Sequence, residues 1–450
     1  MRKNASGALH FTVAILALSF FLSGLARAQE PPSPFKFTKI DLELLAKVNQ
    51  ADQEFERKGM VFNDPEAVAY MEEIGKKLVP EGPLENVTWR FRILRDAEPN
   101  AFALPNGSIY VHTGLLAMLR NEAQLAGILG HEITHVVNRH GYLENRSYRK
   151  KMATGNILGG IAGAALGGNG GAALAQLIPG LILATYYGYS RDLEREADIY
   201  GLHAMARNNY SPDQMSATFE LLKSGYEVPL TKEAHGLYAD HPRLDERIKY
   251  VSEMAETIKI EGAPMVHAAE YSREMEHVMR HDVSLEILAG RARTAVGIAT
   301  RLADVEPDSV ENAYWLGEAY RSLGGRTFHP QPEELTDSAM SKTRKQLGKM
   351  TILEYETALR ATPEGKAAWA ENVKLADAAY THALTIDPKY AKAICGQATL
   401  YDEDGKSSQA LEEYRKYLEL VPTAMDAYRV KKRIADLEKT ATSGAAPAQN

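Results

Sequence analysis

Residues 128–138 read Ile-Leu-Gly-His-Glu-Ile-Thr-His-Val-Val-Asn, two histidines four positions apart inside an apolar run. On a helix, His131 and His135 project from one face, so both imidazoles can reach a single metal ion. Glu132 is displaced around the helix, where it can take a proton as a metal-activated water attacks a carbonyl. Ile128, Leu129, Ile133, Val136 and Val137 bury this helix. A buried histidine pair beside a carboxylate calls for a cation, and zinc suits the donors.

The next ligand has to come from elsewhere in the chain. A metzincin would place Gly and His where Asn138 and Gly141 stand, and no suitable glutamate follows at about the twenty-residue spacing of a thermolysin-type site. The next helical stretch with well-placed acids begins Ser190-Arg191-Asp192-Leu193-Glu194-Arg195-Glu196-Ala197-Asp198. Glu194 and Asp198 share a face, so one carboxylate can bind zinc. The other can accept a hydrogen bond from a ligand histidine and fix its tautomer.

Upstream, helical periodicity covers Leu42–Arg57 and Pro65–Leu78, and Val87–Leu94 alternates as a strand. Ala101–Leu104 and Ser108–Thr113 read as short strands joined by Pro105-Asn106-Gly107. Helices follow at Leu115–Leu119 and Glu122–Asn138. A small sheet therefore leads into the metal helix. Residues 152–190 carry no charge and are rich in Gly and Ala. Asn169-Gly170-Gly171 and Pro179-Gly180 cut this stretch into pieces shorter than the ~20 residues a bilayer needs. It reads as a glycine-rich lid, with peripheral membrane contact as the other use for so apolar a segment.

At the start, Arg2 and Lys3 precede an apolar run, and Ala26-Arg27-Ala28 has the small residues of a cleavage site. Residues 1–28 are thus expected to be a signal peptide cut after Ala28, which exports the chain. The net charge of −7 falls to −10 without Arg2, Lys3 and Arg27, which argues against nucleic acid as a partner. The single Cys395 leaves no internal disulfide.

Beyond about residue 275 the composition turns helical. Ala376, Tyr380, Ala383 and Pro388 return 34 positions on as Ala410, Tyr414, Tyr417 and Pro422. This is the pattern of a tetratricopeptide repeat's second helix and its closing proline. Leu316-Gly317 with Tyr320 fits a first helix, while Ala295…Pro307 and Tyr355…Pro363 fit second helices. Residues 324–345 read as an insertion. The expected fold is mainly α with a small β-sheet, a zincin-like α+β domain over 29–260, then an all-α repeat solenoid over 275–438 and a disordered tail over 439–450.

The combination resembles the M48 family of zinc peptidases, with its His-Glu-x-x-His motif and later Ser-Arg-x-x-Glu-x-x-Ala-Asp. Asn100-Ala101-Phe102-Ala103-Leu104-Pro105 through Leu116, and His241-Pro242 with Arg247, are similar to two further family segments. The resemblance implies one zinc ion on His131, His135 and Glu194, Glu132 as general base, and Asp198 behind a ligand. It implies that Asn100, Ala101, Phe102 and Ala103 form the edge strand that pairs with an extended substrate. It also makes His241 and Arg247 candidates for a fourth ligand or an oxyanion stabiliser. His112, His140 and His203 read as structural or surface residues.

In order of parts the chain resembles periplasmic family members that act in assembly and quality control of outer-membrane β-barrel proteins. That implies an endopeptidase of misfolded or unassembled envelope proteins, recruited to substrate or assembly machinery through the repeats. The rival is a chaperone-like adaptor that works through the repeats with little or regulated proteolysis.

Overall fold

The computed structural model describes residues 35–153, 189–224, 244–324 and 361–443. The expected leader, nearly all of 152–190, His241-Pro242, nearly all of the expected 324–345 insertion and the end of the expected tail lie outside them.

The first helices are Lys39–Arg57 (α1) and Pro65–Leu78 (α2). Asp64 caps α2 by accepting from the Ala67 N–H at 3.0 Å, and Pro65 occupies the first turn, where it lacks no needed donor. Three strands follow: Arg90–Leu94 (β1), Ala101–Ala103 (β2) and Ser108–His112 (β3), in the order β1-β3-β2. β1 runs parallel to β3 with Phe91 beside Ile109, and β2 runs antiparallel with Phe102 beside Tyr110. Gly107 turns the hairpin at φ 94°, and a Cβ there would meet the Thr88 carbonyl oxygen at 2.7 Å. β1 is shorter than its alternation predicts, because Val87 N–H turns back to the Leu84 carbonyl.

Alternation sends the two faces of the sheet to different neighbours. On one, Asp52 of α1 accepts hydrogen bonds from Asn106 Nδ2, Ser108 Oγ and the Tyr110 hydroxyl at 2.7–2.8 Å. On the other, Phe91, Ile93, Ile109 and Val111 enter a core shared with Met71, Ile74, Leu125 and Leu129.

Thr113–Met118 (α3) leads to Glu122–Val137 (α4), whose start Asn121 caps by accepting from Gln124 N–H at 2.9 Å. Nearly every side chain of α4 is buried, so it is the central helix. Around it come His140–Ala153 (α5), Arg191–Arg207 (α6), Asp213–Ser224 (α7) and Leu244–Thr257 (α8).

The remainder is all helical: Ala268–Glu274 (α9), Glu276–Leu288 (α10), Ala292–Val305 (α11), Val310–Leu323 (α12), Pro363–Ile386 (α13), Ala391–Glu403 (α14), Ser407–Leu420 (α15) and Ala427–Ser443 (α16). The repeat residues behave as their spacing predicts. Ala376, Tyr380 and Ala383 of α13 are buried, as are Ala410, Tyr414 and Tyr417 of α15. Gly317 of α12 and Gly396 of α14 both lie against the Tyr380 ring, where an added Cβ would come within 2.6 Å. The expected architecture, mainly helical with one small sheet and a helical repeat region, is the one observed.

Three details differ from expectation. Pro363 opens α13 behind the cap of Thr362, whose hydroxyl accepts from Gly365 N–H at 3.0 Å; the helix expected before it lies outside the described residues. The last helix continues to Ser443, past the expected start of the tail at 439, with Val430 and Leu437 of α16 buried against the α14–α15 pair. The expected break between 260 and 275 does not divide the core. A single apolar cluster runs from Ala67 to Ala319. The Tyr271 hydroxyl donates to the Leu116 carbonyl at 2.6 Å, and the Arg301 guanidinium donates to the carbonyls of Ala117 and Met118. Among the described residues, no helix is long and apolar enough to cross a membrane.

Candidate metal centre

The last two turns of α4 carry His131, Glu132 and His135, all nearly inaccessible to solvent. α6 crosses α4 at Gly130 and Gly201, and the lack of side chains there lets the two backbones touch. That close approach brings Glu194 and Asp198, one turn apart on α6, against the two histidines.

His131 Nε2 and His135 Nε2 lie 3.0 Å apart. Glu194 Oε2 is 3.7 Å from the first and Glu194 Oε1 is 4.0 Å from the second. The backbone N–H of Tyr189 donates to Glu194 Oε1 at 2.9 Å, and the Tyr189 ring stacks on His135 at 4.0 Å between centroids.

The donor set fits a metal. Both Nδ1 atoms face other partners, so two imidazole Nε2 atoms meet at a buried point, where facing lone pairs are unfavourable without a cation. Two nitrogens and a carboxylate match a zinc site with one position left open. All three ligand atoms fall within 4.8 Å of one another.

Behind the ligands, His131 Nδ1 donates to Asp198 Oδ1 at 2.9 Å. Asp198 in turn accepts from Arg247 Nε and Nη2 at 2.9 and 2.7 Å, and from the Tyr250 hydroxyl. Burial alone would raise the Asp198 carboxyl. The Arg247 guanidinium and the His131 bond overcome it and hold the group well below the usual carboxylate range. Burial depresses His131, but Asp198 and then Glu194 reverse the effect and leave it above its ordinary value. His135 has no such carboxylate partner, and burial with the neighbouring His131 and His140 drives it well below.

Glu132 is pushed up to about 7 by burial, against the pull of His131 and with the Glu194 charge adding to the rise. The Ala103 N–H also bonds this carboxyl and draws it down. That contact follows from register. Leu104 N–H goes to Ser108 O and His112 N–H to Asn100 O, so the even positions of β2 pair with β3. The backbone groups of Ala101 and Ala103 therefore point to the opposite edge, and β2 is an outer strand of this sheet. Asn100, just before β2, is buried, and its side-chain amide has no hydrogen-bond partner among the described residues.

The structure thus gathers His131, Glu132, His135, Glu194 and Asp198 at one point, with the edge strand beside Glu132. Arg247 is used differently from expectation. Its guanidinium is committed to Asp198 and, through Nη1 at 3.2 Å, to Glu194, so it braces both carboxylates. His241 lies outside the described residues. The sequence reading missed Tyr189, Tyr250 and above all His140, which is buried with its Nδ1 2.8 Å from His135 Nδ1. Its only signal was a histidine five positions after an expected ligand.

Comparison with known proteins shows a likeness to one family over part of the chain. The model described as Peptidase family M48 matches residues 65–255. The mitochondrial metalloendopeptidase OMA1 of Schizosaccharomyces pombe is 29% identical over 184 residues, 41% of this chain and 52% of its own. The beta-barrel assembly-enhancing protease of Escherichia coli O157:H7 is 29% identical over 167 residues, 36% of this chain and 34% of its own. Metalloprotease YcaL of Escherichia coli K12 is 27% identical over 161 residues, 36% of this chain and 60% of its own. The chain thus spans about a third to three-fifths of the length of these relatives. A thermophilic TPR protein of Thermus thermophilus aligns with 44% of this chain and 96% of its own at 16% identity, with a TM-score of 0.20, too low to establish a shared fold.

Proposed function

We propose, from the match of residues 65–255 to the model described as Peptidase family M48, that the chain is a zinc-dependent endopeptidase. The observation that carries this reading is the convergence of His131, His135 and Glu194 beside a buried Glu132 at the outer edge of β2. Zinc on those three residues supplies a Lewis acid for a peptide carbonyl and makes water a stronger acid.

The chain's own groups do the rest. An extended peptide adds to β2 through the N–H and C=O groups of Ala101 and the C=O of Ala103, which sets its backbone across the centre. Glu132 takes the proton of the attacking water on its carboxylate and delivers it to the leaving amine. Arg247 and Asp198 keep Glu194 and His131 in place. His241 is the candidate for a fourth metal position or for stabilising the oxyanion.

The likeness to the beta-barrel assembly-enhancing protease supports an envelope role. In this reading the leader sends the chain to the periplasm, and the repeats recruit misfolded or unassembled envelope proteins.

The test is hydrolysis of an unfolded protein by the wild-type chain and by Glu132→Gln. Cleavage by wild type alone, abolished by a zinc chelator, is the expected result. Zinc bound by both proteins with cleavage by neither would sink the peptidase and favour the adaptor.

A further inference from the structure

We propose that His140 is a positioning residue for the metal centre: its Nδ1 accepts a hydrogen bond from His135 Nδ1–H and fixes that ligand's orientation. This rests on the zinc site proposed above.

The contact arises from an unusual reversal of the chain. α4 ends at Val137 with Asn138 as its cap. Arg139 then adopts φ 60°, in the left-handed region that residues other than Gly and Asn rarely enter. Its guanidinium donates to the Glu85 carbonyl at 2.8 Å, which helps hold the turn. α5 therefore starts at once, and His140, 1% exposed, folds back onto the helix it has just left. The two rings meet nearly edge to face, with centroids 4.9 Å apart.

Two ring nitrogens 2.8 Å apart require one to donate and the other to accept. His135 turns Nε2 toward His131 and Glu194. As a ligand through Nε2 it carries its proton on Nδ1, so His140 Nδ1 must be the acceptor. The remaining proton of His140 then sits on Nε2, facing Glu196 Oε2 at 3.5 Å, while Asn138 Nδ2 holds the other Glu196 oxygen at 2.6 Å.

The two ligands are thus oriented by unlike means. His131 leans on a carboxylate braced by Arg247 and Tyr250, and His135 leans on an imidazole. Tyr189, stacked on His135, restrains the tilt of the ring but not its rotation in plane. The Nδ1 contact supplies that second restraint.

The test uses the full chain and measures zinc affinity by competition with a chromophoric chelator. His140→Leu keeps apolar bulk without an acceptor; His140→Asn places Oδ1 close to where Nδ1 was. Loss of such an outer partner typically lowers affinity 10–100-fold, so Leu should fall by about that factor and Asn should stay within about threefold of wild type. The melting temperature of each metal-free protein is recorded alongside, since a merely structural role would weaken Leu and Asn alike. Leu within about threefold of wild type, or Asn as weak as Leu, overturns the proposal. A wild-type chain that binds no zinc overturns the metal site itself, and this inference with it.

Discussion

Gly130 and Gly201 are in contact where α4 crosses α6: a methyl group on Gly130 would lie 3.2 Å from Gly201 Cα, and one on Gly201 would lie 3.1 Å from His131 N. The crossing sets how far Glu194 and Asp198 stand from the histidines. Alanine normally favours a helix over glycine by about 0.5–1 kcal/mol. Gly201→Ala is expected to lose stability and zinc affinity despite that gain, because the helices must part. Gly297→Ala in α11, which meets nothing within 4 Å, should gain it. Thermal melts of both variants test the contrast, and a stabilised Gly201→Ala would refute it.

The outer position of β2 predicts which prolines the strand tolerates. Ala101 N–H points away from β3, so proline there removes no rung of the sheet. Ala101→Pro should keep the pairing of the sheet and raise KM about three- to tenfold, the value of one main-chain hydrogen bond to substrate. Phe102→Pro, whose N–H pairs within the hairpin, should instead unfold the strand. Peptide kinetics with both variants separate the two effects.

Asp198 holds three groups at once, and Asn in its place keeps the volume but removes the charge facing Arg247. Breaking a buried pair of this kind costs about 3 kcal/mol or more, and the lost partner of His131 should weaken zinc binding about 10–100-fold. Denaturant melts and chelator competition check the two numbers independently.

Asp282 on α10 makes a pH-dependent prediction. It is fully buried, and burial and then Glu286 raise it well above the usual range against the pull of the Thr113 hydroxyl. Asp96 raises it further and Arg291 opposes. A carboxyl raised in the fold binds more protons folded than unfolded above about pH 4, so stability falls as pH rises through that window. Asp282→Asn should therefore stabilise the protein at pH 7 by about 1–3 kcal/mol, with the gain vanishing toward pH 4. A gain that is flat across this range would contradict the assignment.

Much of the centre was legible because local periodicity encodes it. The four-residue spacings of His131/His135 and Glu194/Asp198 put each pair on one helix face, and the Pro105–Gly107 turn marks the hairpin. What escaped depends on contacts between elements. Nothing in Arg139 announces a left-handed residue, so the return of His140 could not be read. Arg247 looks like a group for substrate charge until Asp198 is seen buried beside it. Gly130 and Gly201 are ordinary singly, and only the crossing gives them meaning.

The likeness to the peptidase family ends at residue 255, while the apolar cluster continues to Ala319. The first repeat helices therefore behave mechanically as part of the body that carries the candidate metal centre rather than as a tethered module. Tyr271 and Arg301 grip the carbonyls of Leu116, Ala117 and Met118, on the helix that begins directly after β3. A partner pulling on the repeats would load the root of the strand against which β2, and any peptide laid along it, is aligned.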